Sequence, residues 1–309
     1  MGFSFSGAAA RGDVGESDRP GADAGGDGYK IVLRDLRQVY RIRGVDGEGP
    51  GDFLALESFS LNVAAGEFVS IVGPSGCGKS TLLNIVAGLA RADGGQIFID
   101  GKAVTGPALD RGIVMQGYAL FPWRTVRKNV EFGLEMKGLA ARERKEVSQR
   151  FIELVNLEGF EDRYPYELSG GMKQRVAIAR ALAYDPEVLL MDEPFAAVDA
   201  QTREMLQDEL MRIWEKTGKT ILFVTHGIDE AVILADRVVV MGANPGRIRA
   251  VIDIGLGRPR TNQEIRLSPA YGEIRQRVWE SLQGAPGEGG PRLGLRVGGA
   301  KGGPLAREA

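Results

Sequence analysis

Three groups of residues in this chain have the types and spacing to handle a phosphate chain and the water that attacks it. The first is Gly73-Pro74-Ser75-Gly76-Cys77-Gly78-Lys79-Ser80-Thr81. Its glycines free backbone amides to wrap phosphate oxygens, Lys79 can reach the terminal phosphates, and Ser80 can ligate Mg²⁺. The second is Asp192-Glu193, where Asp192 is expected to hold the Mg²⁺ shell and Glu193 to polarise the attacking water. The third is Leu168-Ser169-Gly170-Gly171-Met172-Lys173-Gln174-Arg175. Ser169 is expected to cap a helix, and the amides of Gly170 and Gly171 can approach an anion closely because glycine has no Cβ. The partial positive charge of a helix start favours the same anion. One chain with two phosphate-seeking surfaces suggests a nucleotide held between two copies of the protein.

These groups need elements to place them. Glu67-Phe68-Val69-Ser70-Ile71-Val72 reads as a buried strand feeding the first glycine loop, and Thr81 to Leu89 as the helix leaving it. Val188-Leu189-Leu190-Met191 reads as a strand buried on both faces that delivers the two carboxylates to its end. Ile221-Leu222-Phe223-Val224-Thr225 is another apolar strand, and His226, the chain's only histidine, follows it. Ligands in open parallel sheets bind at the carboxyl ends of the strands. An imidazole there can donate a hydrogen bond to a γ-phosphate at neutral pH without being a strong cation. Taken singly, each feature also fits a glycine turn, a solvated strand end or a surface histidine. Their order along one chain is what carries the reading.

Composition narrows the class. The chain has 309 residues, 43% of them hydrophobic, enough for one large α/β domain with a helical insertion. Its 39 basic and 41 acidic residues give a net charge of −2, so no electrostatic footprint favours nucleic acid. The single cysteine, Cys77, can form no internal disulfide and fits a reducing compartment as a small loop residue. No apolar run approaches the ~18–20 residues needed to span a bilayer. Met1 to Ser6 lacks the basic and apolar regions of a secretory signal. Residues 1–28 and 284–309 are glycine-rich with few large apolar groups and are expected to be a disordered leader and a flexible tail.

In this order the motifs resemble the ATP-binding-cassette (ABC) family over about Tyr29 to Leu282. The resemblance implies an α/β P-loop NTPase with a mixed sheet core, an antiparallel β edge and a helical subdomain inserted at about 117–185, within a domain spanning 29–283. It further implies that ATP and Mg²⁺ bind and that two ATPase subunits form a homodimer. Tyr40 matches the aromatic residue that stacks on adenine, although a plain strand position in Leu33 to Tyr40 is an alternative. Gln116 matches the glutamine that reaches Mg²⁺ and the water and senses the membrane partner. Asp199 matches the loop that crosses the dimer interface, and Ser169, Gly170 and Gly171 the signature that grips the opposite subunit's ATP. Two positions depart from the pattern. Val198 precedes Asp199 in place of a common leucine, and Gly117 follows Gln116, which suggests a more mobile loop.

A branch is also implied. Leu120-Phe121-Pro122-Trp123, Tyr164-Pro165-Tyr166-Glu167-Leu168-Ser169, Ala243-Asn244-Pro245-Gly246-Arg247-Ile248, Arg258-Pro259-Arg260 and Leu267-Ser268-Pro269 look like the nitrate/sulfonate/taurine importers. Gly255 and Gly257 interrupt the usual lead-in to that C-terminal end. The branch implies an ATP-hydrolysing subunit on the cytoplasmic face of the membrane, a transmembrane permease, and a solute-binding protein reached indirectly. Other importers, exporters or a soluble ABC protein are the alternatives; no repeats or sustained heptads point to the last. Arg142 to Leu157 carries Val147, Phe151, Leu154 and Val155 at helical spacing. Phe121 and Trp123 either fill the core of the helical subdomain or line a groove for a permease helix.

Overall fold

The computed structural model describes residues 28–42, 51–196, 198–258, 260 and 263–283. The expected leader before Gly28, the tail beyond Gln283, Ala197 and Pro259 lie outside the described residues. Two sheets organise the fold. The strands β1 (Ile31–Ile42), β2 (Gly51–Val63), β4 (Gly94–Ile99) and β5 (Lys102–Ala103) form an antiparallel sheet in the order β2-β1-β4-β5. The other sheet has six strands in the order β10-β9-β3-β8-β7-β6, made of β3 (Phe68–Val72), β6 (Arg111–Val114), β7 (Val188–Asp192), β8 (Thr220–Thr225), β9 (Arg237–Gly242) and β10 (Arg247–Asp253). Only β10 runs antiparallel to its neighbour; β9, β3, β8, β7 and β6 are parallel.

Parallel strands covered on both faces must be apolar throughout, and β3 and β8 are buried at every position. Their side chains alternate between two cores. Val69, Ile71, Leu190, Leu222, Val224 and Val239 face α1 (Lys79–Val86) and the antiparallel sheet. Phe68, Val72, Leu189, Met191, Phe223 and Val238 face the helical side, which includes α4 (Gly170–Ala183), α5 (Ala200–Thr217), α6 (Ile228–Leu234) and α8 (Pro269–Gln283). Register then decides where chemistry can occur. Val72 pairs with Thr225, and Asp192 with Val224. The glycine loop, the two acids and His226 therefore leave three neighbouring strands at one carboxyl edge.

Between β6 and β7 the chain makes a helical excursion of α2 (Val126–Met136), α3 (Ala141–Leu154), a 3₁₀ turn at Pro165–Glu167 and α4. A four-residue α7 (Gln263–Arg266) precedes α8. Three local expectations shift. The helix after the glycine loop starts at Lys79 and ends at Val86, not Thr81 to Leu89, because Gly88 takes φ +75° and turns the chain. The strand before it starts at Phe68, since Glu67 is occupied in a turn with Ala64. The amphipathic helix stops at Leu154, with Val155 as its cap and Asn156 in the left-handed region at φ 54°.

Candidate functional site

The glycine loop is folded tightly around its own lysine. Lys79 is buried, and its Nζ donates to the carbonyls of Gly73 at 2.8 Å and Pro74 at 3.0 Å. Gly78 precedes α1 at φ +95°, and a Cβ there would stand 2.8 Å from the Ala55 carbonyl oxygen and 2.9 Å from Leu56 Cδ2. Only glycine can thread that gap between the loop and β2. Cys77 is buried with its Sγ 3.9 Å from Lys79 Nζ, and burial pushes its thiol above the ordinary cysteine range. A buried thiol of this kind fits a small loop residue.

In front of this loop lies a cleft of about 440 Å³ lined by Tyr40, Phe53, Ala55, Ser75, Gly76, Gly78, Lys79, Ser80, Thr81, Gln116 and Glu193. Residues far apart in sequence, Tyr40 from β1, Gln116 beyond β6 and Glu193 beyond β7, thus share a cleft with the loop. Ser80 Oγ donates to Asp192 Oδ1 at 3.2 Å. Burial lifts the Asp192 carboxyl above its usual range, and the neighbouring Glu193 charge adds to the rise; the Ser80 hydrogen bond and the Lys79 charge oppose it. The Ser80 hydroxyl, which lines the cleft, and the Asp192 carboxylate bonded to it are hard oxygen donors of the kind Mg²⁺ takes. Among the described residues no cluster of three or more His, Cys, Asp or Glu could cage a metal ion.

Glu193 holds an uncommon backbone, φ +44°, stabilised by its amide donating to the Val224 carbonyl at 2.9 Å. The turn carries its carboxylate to His226, whose Nδ1 lies 3.2 Å from Glu193 Oε2. This contact constrains what the histidine can donate. A neutral imidazole that donates Nδ1–H to Glu193 has no proton left on Nε2 for a γ-phosphate. Donation to phosphate through Nε2 therefore needs a doubly protonated ring or release of Glu193. His226 does not line the cleft of the glycine loop; it borders an adjoining cavity of about 200 Å³ that Glu193 also lines.

The second glycine group lies elsewhere. Ser169 is exposed and caps α4, accepting from the Met172 amide at 3.3 Å. Gly170 is half-buried. Gly171 is buried, and a Cβ on it would stand 2.8 Å from Thr202 Cγ2. Glycine at 171 is thus required by packing against α5, whereas Ser169 stays open to a ligand. None of the three lines the cleft around Lys79. Asp199 is also exposed, and it caps α5 by accepting from the Thr202 amide at 3.0 Å.

The loop after Gln116 corrects one expectation. Gly117, Tyr118 and Ala119 all have positive φ, at 79°, 69° and 47°. Arg180 donates to the carbonyls of Ala119 at 2.6 Å and Tyr118 at 3.0 Å. Gly117 serves a left-handed turn in a fastened loop; it does not loosen one. Beyond it, Phe121 packs on Phe132 at 4.7 Å between ring centroids with Arg124 and Arg180 over its ring, while Trp123 is 72% exposed. Phe121 is thus half-buried against α2, and Trp123 lies at the surface.

Phe53 was not foreseen. It pairs with Tyr40 across β1 and β2 and lines the same cleft. Its only signal in sequence is its place on a strand that must pair with the one bearing Tyr40.

Comparison with known proteins agrees with this geometry. A family model described as ABC transporter matches residues 56–196. An ABC transporter ATP-binding protein of Methanocaldococcus jannaschii is 53% identical over 254 residues, covering 82% of this chain and 91% of that protein. A nitrate import ATP-binding protein of Synechocystis sp. is 51% identical over 206 residues, 67% of this chain and 77% of the relative. An aliphatic sulfonates import ATP-binding protein of Bacillus cereus is 46% identical over 233 residues, 75% of this chain and 90% of the relative. Among solved structures, a dimeric ATP-binding cassette in a post-hydrolysis state bound to ADP and Pi superposes with a TM-score of 0.64 at 33% identity, covering 74% of this chain and all 100% of the other.

Proposed function

From the premise that this chain belongs to the ABC transporter family as an ATP-binding subunit, we propose that it powers import of a small anionic or organic solute of the nitrate, sulfonate or taurine type. The chain is an importer's ATPase, and it works with a membrane permease. Among the described residues no helix is long and apolar enough to cross a membrane. We place it as a peripheral subunit on the cytoplasmic face, with the solute-binding protein reached only through the permease and cargo selectivity residing in those partners.

The observation that carries the mechanism is the separation of the two phosphate-seeking surfaces. Ser169 is exposed and absent from the cleft around Lys79, so it serves the ATP of a second copy. In the closed homodimer each ATP lies between the glycine loop of one subunit and Ser169, Gly170 and Gly171 of the other, with Asp199 at the crossing. Tyr40, joined by Phe53, stacks on adenine. Lys79 leaves the Gly73 and Pro74 carbonyls for the terminal phosphates. Ser80, Asp192 and Gln116 would hold Mg²⁺, which neutralises phosphate charge when bound. Glu193 orients and polarises the water that attacks the γ-phosphorus as the bond to the β–γ bridging oxygen breaks, and His226 steadies Glu193. Once the cleaved phosphate has left, the bridge between the subunits is lost and the dimer opens.

Motion reaches the permease through the helical excursion, and Trp123 is the side chain placed to meet it. In proteoliposomes holding the permease, Trp123→Ala is expected to keep basal ATP hydrolysis while losing roughly tenfold of the permease-stimulated rate, as an exposed aromatic anchor would. Stimulation equal to that of the parent chain would remove Trp123 from the interface. Nitrate and alkanesulfonates, offered with the cognate binding protein, test the solute class. Stimulation by neither would reject it.

A further inference from the structure

The helix that follows His226 is gripped at both ends by the C-terminal part of the chain. α6 spans only seven residues, Ile228–Leu234, too few to hold a position on its own. Near its start, Asp229 accepts from the Tyr271 hydroxyl at 2.6 Å and from Arg275 Nε at 2.7 Å, both on α8. At its far end, Arg258 Nη2 donates to the Leu234 carbonyl at 3.0 Å and to Asp236 Oδ1 at 2.6 Å, and Arg260 donates to the Ala235 carbonyl. On its inner side, Glu230 accepts from Gln207 Nε2 of α5 at 3.0 Å and from the Thr225 hydroxyl. Thr225 Oγ1 accepts in turn from the Gly227 amide at 3.0 Å. Both residues that flank His226 are therefore tied to α6.

The two contacts to Asp229 differ in weight. The Arg275–Asp229 pair is about half exposed on both sides, where ion pairs contribute little. Tyr271 is buried, with 6% of its surface exposed, so its hydroxyl–carboxylate bond is the firmer hold. Burial works against a charged Asp229, yet the Tyr271 and Arg275 hydrogen bonds outweigh it and keep the carboxyl below its usual range. The carboxylate is thus ready to accept both.

We propose that Tyr271, assisted by Arg275, is a positioning residue for ATP hydrolysis: through Asp229 it fixes α6, and with it the approach of His226 to Glu193. The C-terminal helix then governs turnover without touching nucleotide. This rests on the reading of Glu193 and His226 as the hydrolytic pair. Because His226 is the chain's single histidine, its imidazole ¹⁵N signals in the full-length protein belong to it alone.

Tyr271→Phe retains the ring that packs in the core and removes only the hydroxyl; Arg275→Gln removes the second contact. Together they are expected to lower kcat roughly tenfold with KM for ATP unchanged, as a small displacement of a reacting pair does, and to move the imidazole ¹⁵N signals. Arg275→Lys, which keeps the charge, is expected to restore part of the rate in the Tyr271→Phe background. Parental kcat in the double variant overturns the proposal, and so does a lower kcat with unmoved imidazole signals. His226→Ala separates the two readings. If it hydrolyses ATP at the parental rate, the hydrolytic pair itself is wrong; if it is inactive while the double variant is parental, only the positioning role fails.

Discussion

Glu193→Gln is expected to hydrolyse ATP roughly 10³-fold more slowly than the parent chain, to bind ATP as tightly, and to accumulate as a closed dimer. In the proposed mechanism the binding contacts lie with Lys79, Ser80 and the loop amides, and Glu193 supplies none of the charge that holds the phosphates. Glutamine has nearly the same shape, so it can keep the turn at φ +44° and a hydrogen bond to His226, 3.2 Å away. What it loses is the negative carboxylate that polarises water. If ATP is what joins the subunits, blocked hydrolysis leaves the joint in place, and mass action shifts the protein to dimer. Size-exclusion chromatography with ATP and single-turnover phosphate release measure the two effects. A monomeric, fully active Glu193→Gln protein would contradict the whole scheme.

The residues that carry this prediction were legible because their signals are local. Apolar runs marked β3, β7 and β8, and the glycine loop, the acids and His226 sit at or just beyond the ends of these strands, so placing the strands brought those residues to one edge. Parallel pairing then brought Val72 beside Thr225 and Val224 beside Asp192, as a carboxyl-edge site requires. Elements that depend on long-range approach left no such trace. Phe53 reaches the cleft only because β2 folds back on β1, and nothing in its neighbours announces a ligand. The Tyr271–Asp229 bond joins residues 42 apart, and no helical or strand period relates them. Gly117 and Gly171 were visible as glycines, but their reasons were not. The first answers to a run of positive φ, the second to the methyl of Thr202 on another helix. Backbone handedness and interhelical distance are tertiary facts, and composition records the residue without the constraint.

Histidine illustrates the same divide at the level of chemistry. Position alone put His226 at the ligand edge, and that placement agrees with the register of β8. Its partner could not be read, because the left-handed turn that swings Glu193 toward it is set by the Glu193–Val224 backbone bond. With Nδ1 engaged by a carboxylate, the ring is proposed to orient the acid first. Any contact with phosphate becomes a second role that competes for the same proton.

Ser169→Asp is expected to abolish ATP-dependent dimerisation in the Glu193→Gln background and to lower hydrolysis on the order of 100-fold in the otherwise parental chain. The substitution separates two functions of one side chain. Ser169 caps α4 through the Met172 amide, and aspartate caps a helix about as well, so the fold should be retained. An added carboxylate facing the γ-phosphate of the opposite subunit would instead repel it where the serine hydroxyl can donate. Since Ser169 does not line its own chain's cleft, ATP affinity of the isolated subunit should not change. A fluorescent ATP analogue titrated into the monomer reads that affinity, and light scattering with ATP reads the dimer. Equal loss of monomer affinity would mean that the serine acts on its own chain's nucleotide. Undiminished dimerisation would mean that the triphosphate is not gripped from both sides.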